Sequence, residues 1–394
     1  DDAVRRILRV KMAIGLYDKK SYKESDYDDF ASEDFKAAAL QSAHESITLL
    51  KNENSILPLS KTQKVLVAGP TANNLTYING AWTHTWQGVD DQYNTEGCET
   101  IFAAIAREVG AENCQFSQGA SLVYVDGWEK ATLADTNDFN SKAASSDVIV
   151  LCLGELPSTE KPGDIRSLRL PEAQMELAKL AYRTGKPVVL VLAEARPRVI
   201  HDIVEDASAI FQTYLPGDFG GTALADLIFG DVNPSGKLPY TYPKYDGVIE
   251  YYDRPKSVDR SGKTNTFDAF DPEWEFGYGL SYTNFDYSNF SIDKTSMTEN
   301  DSIHVSVDVT NSGDFEGKEV VQLYISDLKA SIVPAGKRLR GYSKINLKPG
   351  ETKTVKFAID STDLQFSDPN GNWIIEAGEF QLEIKGEFLK FELN

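Results

Sequence analysis

Cysteine, histidine and positive charge are all scarce in this chain of 394 residues. The three cysteines, Cys98, Cys114 and Cys152, are an odd set without CxxC spacing, which excludes a disulfide framework and a zinc site; only a Cys98–Cys114 pairing stays open. His44, His84, His201 and His304 have no metal-ligand spacing, so no metal and no cofactor are expected. Forty basic against sixty acidic residues give a net charge of -20, which repels phosphate backbones and anionic headgroups and excludes nucleic acid and membrane surfaces as partners. No apolar run approaches the roughly 18 to 20 residues that cross a bilayer, so a soluble chain without a membrane span is expected. A GxGxxG turn is missing too. Gly217-Asp218-Phe-Gly220-Gly221 lacks P-loop spacing and reads as a tight turn onto a helix, which ranks a nucleotide-binding reading of the chain last.

Hydrophobic periodicity is abundant. Residues 1–17 set Val4, Ile7, Leu8 and Met12 at helical spacing with Arg5, Arg6, Arg9 and Lys11 opposite, an amphipathic helix whose apolar stripe requires a partner surface. The polar segment 18–34 reads as a linker. The opening carries no signal-peptide pattern and reads as the middle of a longer protein. A second helix is expected over 34–50. The period then changes. Lys64-Val-Leu-Val-Ala-Gly-Pro70, Asp147-Val-Ile-Val-Leu-Cys-Leu-Gly154, Pro187-Val-Val-Leu-Val-Leu192 and Ala209-Ile-Phe-Gln-Thr-Tyr214 are short apolar runs suited to strands buried on both faces. Helical patterns over 100–109, 171–184 and 220–229 separate them. This order predicts an α/β three-layer sandwich with a mainly parallel sheet over residues 34–243.

Residues 244–284, rich in Tyr, Pro, Gly and Asp, read as a long ordered connection. Over 285–394 the pattern is all-β: Ile303, Val305, Val307 and Val309 alternate strictly, further strands are expected over 320–325, 355–359 and 380–384, and turns fall at Asn311-Ser-Gly313, Lys348-Pro-Gly350 and Asp368-Pro-Asn-Gly371. An immunoglobulin-like, fibronectin-type-III-like sandwich of about 100 residues fits this pattern.

Ligands of a parallel sheet bind outside the carboxyl ends of its strands, which directs attention to the loops 70–88, 154–170, 193–198 and 215–221. The loop Gly154-Glu155-Leu-Pro-Ser-Thr-Glu160-Lys-Pro-Gly-Asp164 carries three carboxyl groups on a Gly- and Pro-containing segment. A carboxyl there can be lowered onto a substrate and desolvated, as a general acid requires; equally, acids are ordinary in exposed loops. In Gly80-Ala-Trp82-Thr-His84-Thr-Trp86-Gln-Gly88 two indoles lie four residues apart. They suit the C–H faces of a sugar, or one of them packs under the loop as an anchor.

With these loops in view, the sequence resembles glycoside hydrolase family 3, of the β-glucosidase and β-xylosidase type. The stretches that carry the resemblance are Ala3-Val-Arg-Arg-Ile-Leu-Arg-Val-Lys11, Glu45-Ser-Ile-Thr-Leu-Leu-Lys-Asn52 with Leu57-Pro-Leu59, Trp82 to Gly88, Gly185-Lys-Pro-Val-Val-Leu190, Phe229-Gly-Asp-Val-Asn-Pro-Ser-Gly-Lys-Leu-Pro239 and Phe276-Gly-Tyr-Gly-Leu-Ser-Tyr282, in that order. The resemblance implies a retaining, exo-acting β-glycosidase that removes terminal β-D-glucosyl residues from oligosaccharides or from aryl or alkyl β-glycosides. Its nucleophile sits on an N-terminal (β/α)8 barrel absent from this chain, so residues 1–33 correspond to the tail of that barrel and a linker, and the chain alone is expected to be inactive. The family's acid/base loop puts the catalytic acid/base on Glu160, with Glu155 as the rival because it is nearer the strand end; Lys161-Pro162 departs from the usual Thr-Lys. Trp86 matches an aromatic residue of the aglycone subsite and Trp82 is a second candidate for substrate binding. A secreted or periplasmic location follows from polysaccharide-degrading activity. The competing class is a non-catalytic carbohydrate-binding or scaffold protein that keeps the fold without the chemistry.

Overall fold

The computed structural model describes residues 1–18, 21–88, 90–248, 251–255 and 270–394, so part of the expected connection over 244–284 lies outside the described residues. The chain divides into two compact units, residues 1–40 and 41–394. In the first, α1 (Asp2–Ala13) is the amphipathic helix that the spacing predicts. Asp2 in its first turn pairs with Arg6 at 2.7 Å, and none of its residues is buried. Helix α2 (Glu33–Ser46) runs from the first unit into the second.

The expected helix over 34–50 is too long at its C-terminal end. Residues 48–50 belong instead to strand β1 (Thr48–Asn52), because Ile47, Thr48, Leu49 and Leu50 are buried together and Thr48 pairs with Gln212 on a neighbouring strand. Helical spacing loses here to burial on both faces of a sheet.

That sheet gathers β1, β2 (Val65–Ala68), β3 (Cys114–Ser117), β6 (Val148–Gly154), β7 (Val188–Ala193) and β8 (Ala209–Gln212) in the order β1-β8-β7-β6-β2-β3. All neighbours are parallel except β1, which runs antiparallel to β8. Every residue of β2, β6, β7 and β8 is buried, which is why their sequences show unbroken apolar runs. On one face Leu66, Ile149, Leu151, Leu190, Leu192 and Ile210 pack with residues of α5 (Thr136–Ala144), α6 (Glu172–Arg183) and α7 (His201–Val204). Toward β2 and β3 lies α4 (Ile101–Val109), which packs on α8 (Gly220–Phe229). A one-turn helix α3 (Thr76–Asn79) lies in the loop after β2, and a hairpin of β4 (Ala120–Val125) and β5 (Trp128–Leu133) follows β3. The three cysteines form no disulfide, so the Cys98–Cys114 pairing is not made. The described residues from 270 to 282 return to this domain: Tyr242 and Trp274 form a bridge, and Gly277 donates its N–H to the Leu238 carbonyl.

The all-β part has two sheets. Strands β10 (Ser296–Met297), β18 (Glu387–Leu393), β17 (Gly378–Ile384), β12 (Gly317–Asp327) and β13 (Arg338–Leu347) form one; β14 (Thr352–Asp360), β11 (Ser302–Asn311) and β9 (Phe285–Ile292) form the other. The alternating Ile303, Val305, Val307 and Val309 of β11 point into a core shared with Val321, Leu323, Leu382 and Phe391 of the opposite sheet. A short helix α9 (Ser361–Leu364) and the small ribbon of β15 (Phe366–Ser367) and β16 (Trp373–Ile374) complete this part. An α/β domain with a mainly parallel sheet followed by a fibronectin-type-III-like sandwich is therefore the architecture. Glu45, near the end of α2, joins the two parts by pairing with Lys318 of β12 and with Lys344 of β13, the latter at 2.9 Å. Burial alone would raise its pKa, but the hydrogen bonds from Lys318, Gln41 and Lys344 prevail and draw it down to about 2.

Candidate active site

Strands β2, β6, β7 and β8 deliver their loops to the same edge of the sheet, and the side chains singled out in the sequence meet there. The loop after β2 is closed by a short approach at Gly88: its φ is +71°, and a Cβ placed on it would lie 2.2 Å from the Gly80 carbonyl oxygen. Only glycine fits, and the turn presents Trp82 and Trp86 on one side, with Trp82 donating its backbone N–H to the Trp86 carbonyl at 3.2 Å. Both rings are exposed, Trp82 by 66 % and Trp86 by 50 %, so neither is a buried anchor under the loop.

Each indole N–H points at the loop after β6. Trp82 Nε1 donates to Thr159 Oγ1 at 2.9 Å, and Trp86 Nε1 donates to Glu160 Oε1 at 3.3 Å. Glu160 is the exposed apex of its loop, in a left-handed backbone conformation with φ 55° and ψ −147°. Such a conformation is costly for a side chain with a Cβ and persists where neighbours hold it. Gln87, between the second indole and Gly88, donates from Nε2 to the Thr159 carbonyl at 3.2 Å and accepts from the Thr159 N–H at 3.1 Å.

Glu155 has a different setting. It is buried, accepts from the backbone N–H groups of Ala195 and Arg196 at 2.9 and 3.1 Å, and is paired with Arg196 Nε at 2.7 Å and Arg198 Nη1 at 2.9 Å. Arg198 also holds Glu129 of β5, whose other oxygen accepts from the Leu156 N–H at 2.7 Å. Arg196 reaches further along the loop, donating to the Gly163 carbonyl at 2.8 Å and to Ser158 Oγ at 3.4 Å. The base of the acidic loop is thus fastened by buried ion pairs while its apex is left in solvent.

Two more groups surround this edge. Asp218, in the loop after β8, accepts from Asn79 Nδ2 at 2.8 Å, from Thr95, and lies 3.1 Å from His84 Nε2. Burial opposes its ionisation, but the bonds from Thr95, His84 and Asn79 outweigh it and lower its pKa. Behind the loop after β7, Glu194 is fully buried. Its Oε1 accepts from Tyr242 at 2.7 Å and from the Arg198 N–H at 3.1 Å, and its Oε2 has no hydrogen-bond partner among the described residues. Burial raises its pKa to about 8 against the bond from Tyr242. Elsewhere, oxygen atoms of Glu108, Asp226 and Asp231 lie within 4.8 Å of one another, but Lys61 pairs with Glu108 and Asp231 and His44 Nε2 lies 2.7 Å from Asp226 Oδ2, so each of those acids already has a protein partner.

The sequence isolates Glu160, Glu155, Trp86 and Trp82, and all four stand on adjoining loops. Gln87, Arg196, Arg198, Glu129 and Glu194 are not legible in it as site residues. The available signals were position alone: Gln87 lies inside the Trp loop, and the arginines flank Pro197 just past a buried strand.

An α/β sheet domain followed by a fibronectin-like sandwich, with aromatic and acidic loops on one edge, defines a two-domain class that the comparisons resolve further. The profile of the Glycosyl hydrolase family 3 C-terminal domain matches residues 47–282, and that of the Fibronectin type III-like domain matches residues 319–387. The chain belongs to glycosyl hydrolase family 3. It is 34% identical over 414 residues to a lysosomal beta glucosidase of Dictyostelium discoideum, covering 100% of this chain and 49% of that protein. It is 35% identical to a periplasmic beta-glucosidase of Salmonella typhimurium, covering 98% of this chain and 53% of that one. The crystal structure of a beta-glucosidase from Listeria innocua in complex with glucose superimposes with a TM-score of 0.83 at 28% identity, covering 100% of this chain and 54% of that one. The chain thus spans about half the length of these relatives.

Proposed function

We propose that this chain is the acid/base-bearing part of a retaining exo-β-glycosidase, with terminal β-D-glucosyl groups as the substrate and Glu160 as the catalytic acid/base. The observation that carries the reading is the pairing of Trp86 with Glu160. An exposed carboxyl on a loop apex receives an indole N–H while the indole faces beside it remain open to a sugar. Glu155 is the weaker choice, because its oxygens are occupied by Arg196, Arg198 and two backbone N–H groups and it has no lone pair directed to solvent.

Retaining hydrolysis needs two carboxyl groups roughly 5 to 5.5 Å apart. A nucleophilic carboxylate attacks the anomeric carbon while Glu160 gives its proton to the departing glycosidic oxygen. Glu160, now a carboxylate, then takes a proton from the water that displaces the enzyme from the sugar. The nucleophile belongs on a (β/α)8 barrel of the full-length protein, which is the partner proposed for the exposed stripe of α1; residues 1–33 would form the barrel's tail and linker, 34–243 the α/β domain, 244–284 a connection and 285–394 the sandwich. Trp86 and Trp82 would line the aglycone subsite. A periplasmic relative among the β-glucosidases supports a secreted or periplasmic location.

The test is hydrolysis of nitrophenyl glycosides by the full-length protein, wild type beside Glu160→Ala, with azide present. A large loss, recovered by azide with formation of the β-glycosyl azide, is expected. An unchanged rate moves the role away from Glu160, and an inactive wild type favours a non-catalytic carbohydrate-binding protein.

A further inference from the structure

The two limbs of the loop 155–164 and its apex are held by different parts of the molecule. Arg196 fixes the limbs: one guanidinium contacts Glu155 at the base, Ser158 on the way out and the Gly163 carbonyl on the way back. It makes no bond to Thr159 or Glu160, where the backbone turns into its left-handed conformation. Among the described residues, three side chains of the loop after β2 hydrogen-bond to that apex. Two are the indoles, whose N–H groups donate to side-chain atoms, Thr159 Oγ1 and Glu160 Oε1. The third, Gln87, grips the backbone. Its amide mimics a strand residue, donating to the Thr159 carbonyl and accepting from the Thr159 N–H. The residue so held is the one immediately before Glu160.

We propose that Gln87 is the positioning residue of the acid/base: by pairing with both polar backbone groups of Thr159 it fixes where the Glu160 carboxyl stands relative to a leaving oxygen on the Trp82–Trp86 platform. This rests on the assignment of Glu160 above. Gln87 touches no reacting atom in this scheme. Without it, Thr159 exchanges two protein bonds for water and the strained turn at Glu160 is free to relax, carrying the carboxyl away from the glycosidic oxygen. A displacement of the order of 1 Å in a reacting group costs about 100-fold in rate.

A purely structural role would reduce hydrolysis of all substrates alike. Loss of proton donation has a distinct signature, because a weakly basic phenolate departs without a proton and an alkoxide does not. The experiment measures kcat/KM of the full-length enzyme for 2,4-dinitrophenyl, 4-nitrophenyl, phenyl and methyl β-glucosides, comparing wild type, Glu160→Ala, Gln87→Ala and Gln87→Met, with melting curves to show that each is folded. Gln87→Met keeps the bulk and removes both hydrogen bonds. In both Gln87 variants a fall of about 10- to 100-fold for methyl glucoside, against less than about threefold for the dinitrophenyl substrate, is expected, in parallel with a steeper dependence in Glu160→Ala. A uniform loss across the series, no loss, or full activity in Gln87→Met would overturn the role of Gln87 while leaving Glu160 in place. A flat dependence in Glu160→Ala would remove the acid/base assignment and the proposal with it.

Discussion

Glu155 and Arg198, separated by 2.9 Å and exposed by only 5 % and 2 % in their side chains, form a buried ion pair directly beneath the loop whose apex is Glu160. Five residues apart in sequence, Glu155 and Glu160 therefore stand in opposite environments. Removing one partner of a buried pair leaves the other charge uncompensated, at a cost of about 3 to 5 kcal/mol. Glu155→Ala is expected to lower stability by that order in urea unfolding, whereas Glu160→Gln, at an exposed site, should stay within about 0.5 kcal/mol. Equal losses for the two variants would contradict this division between an anchoring and a presented carboxyl.

Glu194 gives the stability a pH dependence. Its pKa of about 8 in the folded chain lies above the ordinary value of 4.5, so the folded state holds a proton that the unfolded chain releases. The associated stability is complete below about pH 4.5 and is lost as the pH rises through about 8. A proton on Oε2 makes it a donor in surroundings shared with Arg198, Tyr242, Tyr240, Glu155 and Gln212 Oε1, which like Oε2 has no hydrogen-bond partner among the described residues. Glu194→Gln, which imitates the neutral acid, is expected to flatten the decline in melting temperature between pH 5 and 8.5 relative to wild type. An unaltered slope would show that Glu194 is ionised when folded.

The indoles lead to a prediction about affinity. Trp86→Ala removes an exposed face from the proposed aglycone subsite and also the N–H donated to Glu160. In the full-length enzyme KM for a disaccharide is expected to rise by about tenfold, equivalent to about 1.4 kcal/mol, with kcat falling as well. Trp86→Phe keeps a face without the donor and should recover KM more than kcat. Recovery of both would assign no role to the N–H.

Thiol reactivity follows from burial. Burial pushes Cys114 up to about 12 and Cys152 well above its ordinary value, so both should remain thiols and resist alkylation in the native chain at pH 8. Cys98 is only half-buried. Brief iodoacetamide treatment followed by peptide mass spectrometry should find label on Cys98 first; early label on Cys152 would mean that β6 opens readily.

How much of this was legible in the sequence depends on the kind of burial. Strands covered on both faces, such as Val148–Gly154 and Val188–Ala193, announce themselves as unbroken apolar runs. Strands with one wet face or an edge position do not: Cys114–Ser117, Trp128–Leu133 and Glu387–Leu393 mix polar and apolar residues and escape detection. Thr48–Asn52 was hidden by helical spacing carried over from α2, since only its partner β8 reveals it as a strand. In the site, loop position and residue type single out Glu160 and the indoles. Gln87 is silent because its meaning lies in a backbone 72 residues away, at Thr159. Arg196 and Arg198 are silent because a charged residue beside a proline looks like surface until the buried acids it joins are seen together.

The place of β1 in the sheet has a consequence for the order in which the chain acquires structure. It is the sheet's first strand in sequence, yet the strand it pairs with is β8, the last. During synthesis Thr48–Asn52 must stay unpaired until Ala209–Gln212 has left the ribosome, while β2, β6 and β7 can already associate. A long closure of this kind is slow, because its entropy is lost before any contact rewards it. Pulse-labelled hydrogen exchange during refolding should therefore find the β1 amides among the last of the sheet to gain protection. Until that seam closes, β8 presents the bare edge at which a second nascent chain could pair by mistake.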